Sequence, residues 1–128
     1  MNLKIALKIS WKMRILIVED NSEMRKTIRR FIASSDDKVK ECEDGIDALE
    51  TYKTFQPDWV LMDYEMKYKD GIKATSEIIN ADPNAKIILI SQYNDQEIID
   101  SAIRSGALKF IPKTTVWELK YFIENYGK

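Results

Sequence analysis

The feature that most constrains this chain is an alternation. From residue 14 onward, short apolar runs take turns with segments whose apolar residues recur at helical spacing. RILIV (14–18) reads as a strand, and NSEMRKTIRRFIAS (21–34) as a helix with Met24, Ile28, Phe31 and Ile32 on one face. KVKEC (38–42) alternates apolar with charged and reads as an edge strand. DGIDALETYKTF (44–55) follows as a helix with Ile46, Leu49 and Tyr52 inward, ended by Pro57. DWVLMD (58–63), KIILIS (86–91) and LKFIP (108–112) are three more strands. GIKATSEIIN (71–80), DQEIIDSAIRSG (95–106) and TVWELKYFIENY (115–126) are the helices after them. Asp95 is the expected N-cap of the fourth helix and Gly106 its stop. In the last helix Val116, Leu119 and Ile123 form the inward stripe, with Trp117, Tyr121 and Phe122 off it. Five strand-then-helix units with short connections imply an α/β domain, a doubly wound parallel sheet covered on both faces.

In such sheets functional groups collect at the carboxyl ends of the strands. The first strand here ends in Glu19 and Asp20, the third in Asp63, the fourth in Ser91, and the fifth runs into Lys113. Three carboxylates on one rim repel: a pair at ~4 Å costs about 4 kcal/mol at an effective dielectric of 20. Either their pKa values split or a cation lies among them. The chain has no histidine and one cysteine, so histidine bases and the usual zinc sites are excluded. Oxygen-only ligands suit a hard ion, Mg²⁺. Lys113 and the Ser91 hydroxyl add the charge and the donor that an incoming phosphoryl group needs, and a carboxylate can accept that group as a nucleophile. Asp63, at the end of an apolar run, is the residue expected to be phosphorylated.

Bulk properties set the remaining bounds. A net charge of −1 over 128 residues gives no global attraction to nucleic acid. No apolar run approaches the ~18 residues that cross a bilayer. Cys42 alone cannot form an internal disulfide and fits a reducing, cytoplasmic setting. Residues 1–12 are expected to lie outside the functional domain, which would run from 13 to 128. Leu3, Ile5, Leu7, Ile9 and Trp11 have strand-like period two, and Lys4, Lys8 and Lys12 are spaced by four. A start codon misplaced upstream of Met13, a membrane-surface anchor and an extra strand are the three explanations, and the first is favoured.

The segments ILIVEDN, VLMDYEM with DG four residues on, ILISQYND and GALKFIPK together resemble the receiver domain of two-component response regulators. The resemblance covers roughly residues 13 to 126, in the family's order. It implies a flavodoxin-like fold with sheet order 2-1-3-4-5, in a single-domain, chemotaxis-regulator-like form. It implies Asp63 as phosphoacceptor, Asp20 as direct Mg²⁺ ligand, Glu19 as its water-mediated partner and the Glu65 main-chain carbonyl as a further ligand. Ser91 matches the switch hydroxyl, Lys113 the phosphate-pairing lysine and Phe110 the switch aromatic. The implied phosphoryl donor is a sensor histidine kinase or phosphotransfer protein. The aromatics off the inward stripe of the last helix either lie flat on the domain, or once continued into a linker, or form a partner surface through which phosphorylation, acting on Ser91 and Phe110, raises homodimer formation. Lys67 stands where proline is usual, Gln92 where a small residue is usual, and Thr114 follows Lys113 where proline is often found. An aspartate-nucleophile phosphatase would carry its nucleophile after the first strand, and a flavin carrier would have a Ser/Thr/Gly-rich loop where EDNSEM stands. A receiver-like binding module that works unphosphorylated is the other alternative.

Overall fold

The computed structural model describes residues 13–34 and 36–128. Residues 1–12, with the expectations attached to them, lie outside the described residues. The elements are β1 (Arg14–Val18), α1 (Ser22–Ile32), β2 (Lys38–Cys42), α2 (Ala48–Phe55), β3 (Trp59–Asp63), α3 (Gly71–Ala81), β4 (Ile87–Ser91), α4 (Gln96–Arg104), β5 (Lys109–Pro112) and α5 (Glu118–Asn125). The strands form one parallel sheet in the order β2-β1-β3-β4-β5. This is the flavodoxin-like order that the resemblance implies, with β2 at an edge as its alternating pattern requires.

Why the inner strands read as unbroken apolar runs is visible in their burial. Side chains alternate across a strand, so a strand covered on both faces must be apolar at every position. Ile15, Ile17, Trp59, Leu61, Ile88 and Ile90 face Ile28 and Ile32 of α1 and Leu119 and Ile123 of α5. Leu16, Val18, Val60, Met62 and Ile87 face Ala48 of α2 and Ala74 and Ile78 of α3. Each buried isoleucine or leucine contributes about 1.5–3 kcal/mol relative to exposure. Trp59 is also met edge-on by the rings of Phe122 and Tyr126, at 5.9 and 5.2 Å, which fastens α5 across the amino end of the sheet.

The structure corrects several expected details. Phe31 is exposed on the outer side of α1, while Ile28 and Ile32 carry the burial. Ile46 is also exposed, because residues 45–47 form a turn and α2 begins only at Ala48. Asp95 has N-cap backbone geometry but makes no side-chain cap bond. A 3₁₀ turn at Lys113–Thr115 delays the last helix to Glu118, and Phe122 packs partly into the core. Asn21 and Asp70 are working caps, accepting from the Met24 and Lys73 amides at 2.9 Å each.

Gly71 fixes how α3 meets the sheet. A Cβ there would lie 2.1 Å from the Asp63 carbonyl oxygen and 2.9 Å from its carbon. At an ordinary helix position Gly→Ala stabilises by about 1 kcal/mol. Gly71→Ala is expected to do the reverse, lowering stability by about 1–3 kcal/mol because backbone must move. Urea unfolding of the two proteins checks this; an unchanged or higher midpoint for the variant contradicts it.

Candidate functional site

The strand register assembles the site. Val18 pairs with Met62, so in the next row the chain sets Glu19 beside Asp63. The Glu19 amide donates to the Cys42 carbonyl at 3.0 Å, which keeps the residue in the sheet and its side chain in the rim. Carboxylate oxygens of Glu19, Asp20 and Asp63 all lie within 4.8 Å of one another. Glu19 and Asp63 are buried and Asp20 is exposed, so the cluster opens to solvent on the Asp20 side. Lys113, directly after β5, sends its Nζ to 3.0 Å from Glu19 Oε1 and 3.0 Å from Asp63 Oδ1.

The electrostatics follow from two buried carboxylates sharing one ammonium. Burial pushes the Glu19 carboxyl up to about 8, helped by the hydrogen bond and charge of Asp63 and opposed by Lys113. Burial also raises Asp63, against the pull of its contacts with Glu19, Lys113 and the Glu65 amide. Burial works to lower the Lys113 pKa, but the charges of Asp63 and Glu19 outweigh it and hold the lysine above its ordinary value. Asp63 Oδ2 is buried with no hydrogen-bond partner, and so is Glu65 Oε1. Buried acceptors left open are rare in native structures. Oxygen donors only, clustered and one of them unsatisfied, fit a hard divalent cation such as Mg²⁺.

Ser91 ends β4, buried, and its Oγ accepts from the Tyr93 amide at 2.9 Å, leaving its own hydrogen free to donate. It lies one residue past Ile90, the partner of Asp63, and pairs with Pro112, the residue before Lys113. Glu65 is half-buried on the loop after β3, close enough for its amide to act on Asp63. Phe110 is not on the rim; it faces inward against Leu89, Ala102 and Ala107.

Two residues that sequence reasoning did not single out frame the rim. Arg25 donates from Nη1 to the Glu19 carbonyl and from Nε to Glu41 Oε1, at 2.7 Å each. Burial would raise Glu41, but hydrogen bonds from Arg29 and Arg25 hold it below the ordinary value. Arg25 and Arg29 stand four apart on α1, opposite the acid of an edge strand, and that spacing was the available signal. Asp44, read as the start of a helix, is instead a buried turn residue whose carboxylate accepts three backbone amides.

Comparison with known proteins agrees with this geometry. The model of the response regulator receiver domain matches residues 15–120. The chemotaxis protein CheY of Thermotoga maritima is 42% identical over 101 residues, 78% of this chain and 84% of the relative. The two-component response regulator of the LuxR family from Aurantimonas superposes with a TM-score of 0.82 at 29% identity, covering 89% of this chain and 84% of the other. A chain of the CheX–CheY–BeF₃–Mg complex from Borrelia burgdorferi superposes at 0.79 with 27% identity, covering 91% and 90%. The chain therefore belongs to the receiver domains of two-component response regulators. Within that class it is CheY-like, and among the described residues no helix is long and apolar enough to cross a membrane.

The raised carboxyls give stability a sign. The folded Glu19 carboxyl holds its proton up to about 8, against 4.5 ordinarily. A raised folded pKa contributes stability below 4.5 that is lost as pH climbs through 8, and Asp63 acts in the same sense. The lowered Glu41 acts oppositely, but below its ordinary pKa, outside this window. Without divalent ions, the urea midpoint is expected to fall between about pH 5 and pH 8. A flat or rising midpoint in EDTA contradicts this charge arrangement.

Proposed function

We propose that the chain accepts a phosphoryl group on Asp63 from a sensor histidine kinase or phosphotransfer protein, and that residues 13–128 are the unit that does so. The observation that carries this reading is the Asp63 carboxylate itself: buried, paired with Lys113 at Oδ1 and without a donor at Oδ2. A purely structural buried acceptor left open costs about 1–3 kcal/mol. A nucleophile needs such an open oxygen.

In this reading Asp20, Asp63 and the Glu65 main-chain carbonyl would hold Mg²⁺ directly, and Glu19 would do so through water. When bound, the ion supplies positive charge that relieves the carboxylates and neutralises charge on the phosphoryl oxygens. An Asp63 oxygen attacks phosphorus as the P–N bond of the donor phosphohistidine breaks. The bonding pair leaves with the imidazole nitrogen, which takes up a proton, and Asp63 becomes an acyl phosphate. Lys113, now at Oδ1, pairs with a phosphoryl oxygen, and Ser91 donates its free hydrogen to another. Hydrolysis reverses the state: water attacks phosphorus, the P–O bond to Asp63 breaks, and inorganic phosphate leaves. Both steps act on the chain's own side chain, so it is a signalling module and not a turnover enzyme. Ser91 and Phe110 form the switch, and the exposed Trp117, just before α5, and Tyr121, on it, form a partner surface that supports a homodimer.

With Mg²⁺ and acetyl phosphate, intact mass should show one added phosphoryl, and Asp63→Asn, which keeps size but loses the nucleophile, should show none. A folded variant phosphorylated at full rate would sink the assignment. Millimolar Mg²⁺ should raise the melting temperature by binding only the folded state, and Asp20→Ala should cancel the rise. Sedimentation should show more self-association after phosphorylation; an identical monomer in both states removes the homodimer.

A further inference from the structure

We infer that Asp44 is a positioning residue for the metal site: it holds the β3–α3 loop, and with it Glu65, in the place from which the ion is bound. This rests on the Mg²⁺ site proposed above and names a residue that is not one of its ligands. Asp44 is no member of the cluster formed by Glu19, Asp20 and Asp63.

The β3–α3 loop, residues 64–70, carries Glu65 two residues after the phosphoacceptor. Its two ends are tied to each other and to the sheet. The Tyr64 amide donates to the Ile90 carbonyl at 2.8 Å, and the Gly71 amide donates to the Tyr64 carbonyl at 2.9 Å. Those bonds fix where the loop leaves and returns. They leave its excursion in between to be set by something else.

Asp44 supplies that constraint. Its Oδ2 accepts from the Tyr68 amide at 3.0 Å and its Oδ1 from the Lys69 amide at 3.1 Å. The same Oδ1 accepts from Ile46 at 3.0 Å, which locks the carboxylate to its own turn. The side chain is thus a clamp between two loops at the carboxyl end of the sheet, and the residue is only 9% exposed. Hydrogen bonds to an ionised acceptor are about twice as strong as neutral ones. Gly45 completes the fit: a Cβ there would meet the Lys69 carbonyl oxygen at 2.6 Å, so the loop lies directly on its backbone. Glu65, Met66 and Lys67 are then spanned between two fixed points, Tyr64 and Tyr68. Mg²⁺ demands near-octahedral geometry at about 2.0–2.1 Å, so a ligand on an unclamped loop would be a poor one.

The test separates holding from charge. The ¹⁵N-labelled full chain is titrated with MgCl₂ and the amide shifts give the dissociation constant, which this method reads even when binding is weak. Asp44→Ala loses the clamp and the charge, and should weaken Mg²⁺ binding about tenfold, the lower range for residues that orient metal ligands. Asp44→Asn loses the charge and turns an NH₂ toward the Tyr68 amide, but it keeps an oxygen for Ile46 and Lys69, so it should weaken binding clearly less than Asp44→Ala. Gly45→Ala keeps the charge and displaces the loop, and should weaken binding like Asp44→Ala. Urea unfolding establishes that each variant is folded during titration. Should Asp44→Ala not fold, the Asn and Gly45→Ala variants still decide. Equal weakening by Ala and Asn, or parental affinity in Asp44→Ala or in folded Gly45→Ala, overturns the inference. If the parent chain itself shows no Mg²⁺-dependent shifts, it is the proposed metal site that fails.

Discussion

Glu19 and Asp63 are buried side by side at the carboxyl end of the sheet, and Lys113 is the ammonium they share, 3.0 Å from an oxygen of each. Two like charges ~4 Å apart would oppose each other by about 4 kcal/mol at an effective dielectric of 20, so the Glu19 carboxyl keeps its proton up to about 8 and the lysine balances the one charge that remains. Folding therefore has to force them together, and the sheet does so. With Ile15 to Val18 and Trp59 to Met62 in register and buried on both faces, the next residues have nowhere else to go. A slip of one residue would turn every side chain of a strand to the opposite face, and the apolar burial of β1 and β3 prevents it. The energy of the core thus holds a charge arrangement that would otherwise disperse.

The rim around this pair is held mostly by bonds to backbone. Arg25 grips the Glu19 carbonyl, Asp44 grips the amides of Tyr68 and Lys69, and Gly71 lets α3 begin against the Asp63 carbonyl. Such contacts leave the carboxylate oxygens free while fixing the main chain that carries them. Arg25 also bonds Glu41, so the edge strand β2 is connected to the acid cluster by one side chain. The site is therefore mechanically coupled to elements that contribute no ligand to it.

How far the sequence discloses all this follows from the range of each signal. The five strands are legible because burial on both faces needs unbroken apolar runs, a local pattern. Glu19, Asp20, Asp63, Ser91 and Lys113 are legible as strand ends once the alternation is seen. Phe31 and Ile46 were misread because periodicity gives a face but not its width, and because a turn delays α2 past Ile46. Asp44 was not recognised because an Asp-Gly pair after a strand satisfies both a turn and a helix start; its partners lie 24 and 25 residues away. Arg25 was missed for the same reason, since its bond to Glu41 spans 16 residues and a strand register. Local periodicity announces elements, whereas the residues that join loops become visible only when the loops are brought together.

The core itself is uneven, and the unevenness lies beside the site. Among the described residues, twelve buried ones lock α1 and α5 to one face and ten lock α2 and α3 to the other. Under α4 the buried set shrinks to Leu89, Ala102, Ala107 and Phe110, and α4 itself contributes only Ala102 to it. An element held by a small apolar contact opens or shifts at lower free energy than one locked into a large core. Phe110 is the one large ring in that set, and Ser91 ends the strand that also carries Leu89. Under the proposed reading, a donor bond drawn from Ser91 toward a phosphoryl group acts on β4 and β5 where α4 is least firmly held. A change of packing around Phe110 then disturbs fewer buried side chains than one in either larger cluster. The same arrangement explains how a domain can move one face without loosening Glu19 and Asp63: the rigid part of the core holds the charges, and the sparse part is left to respond.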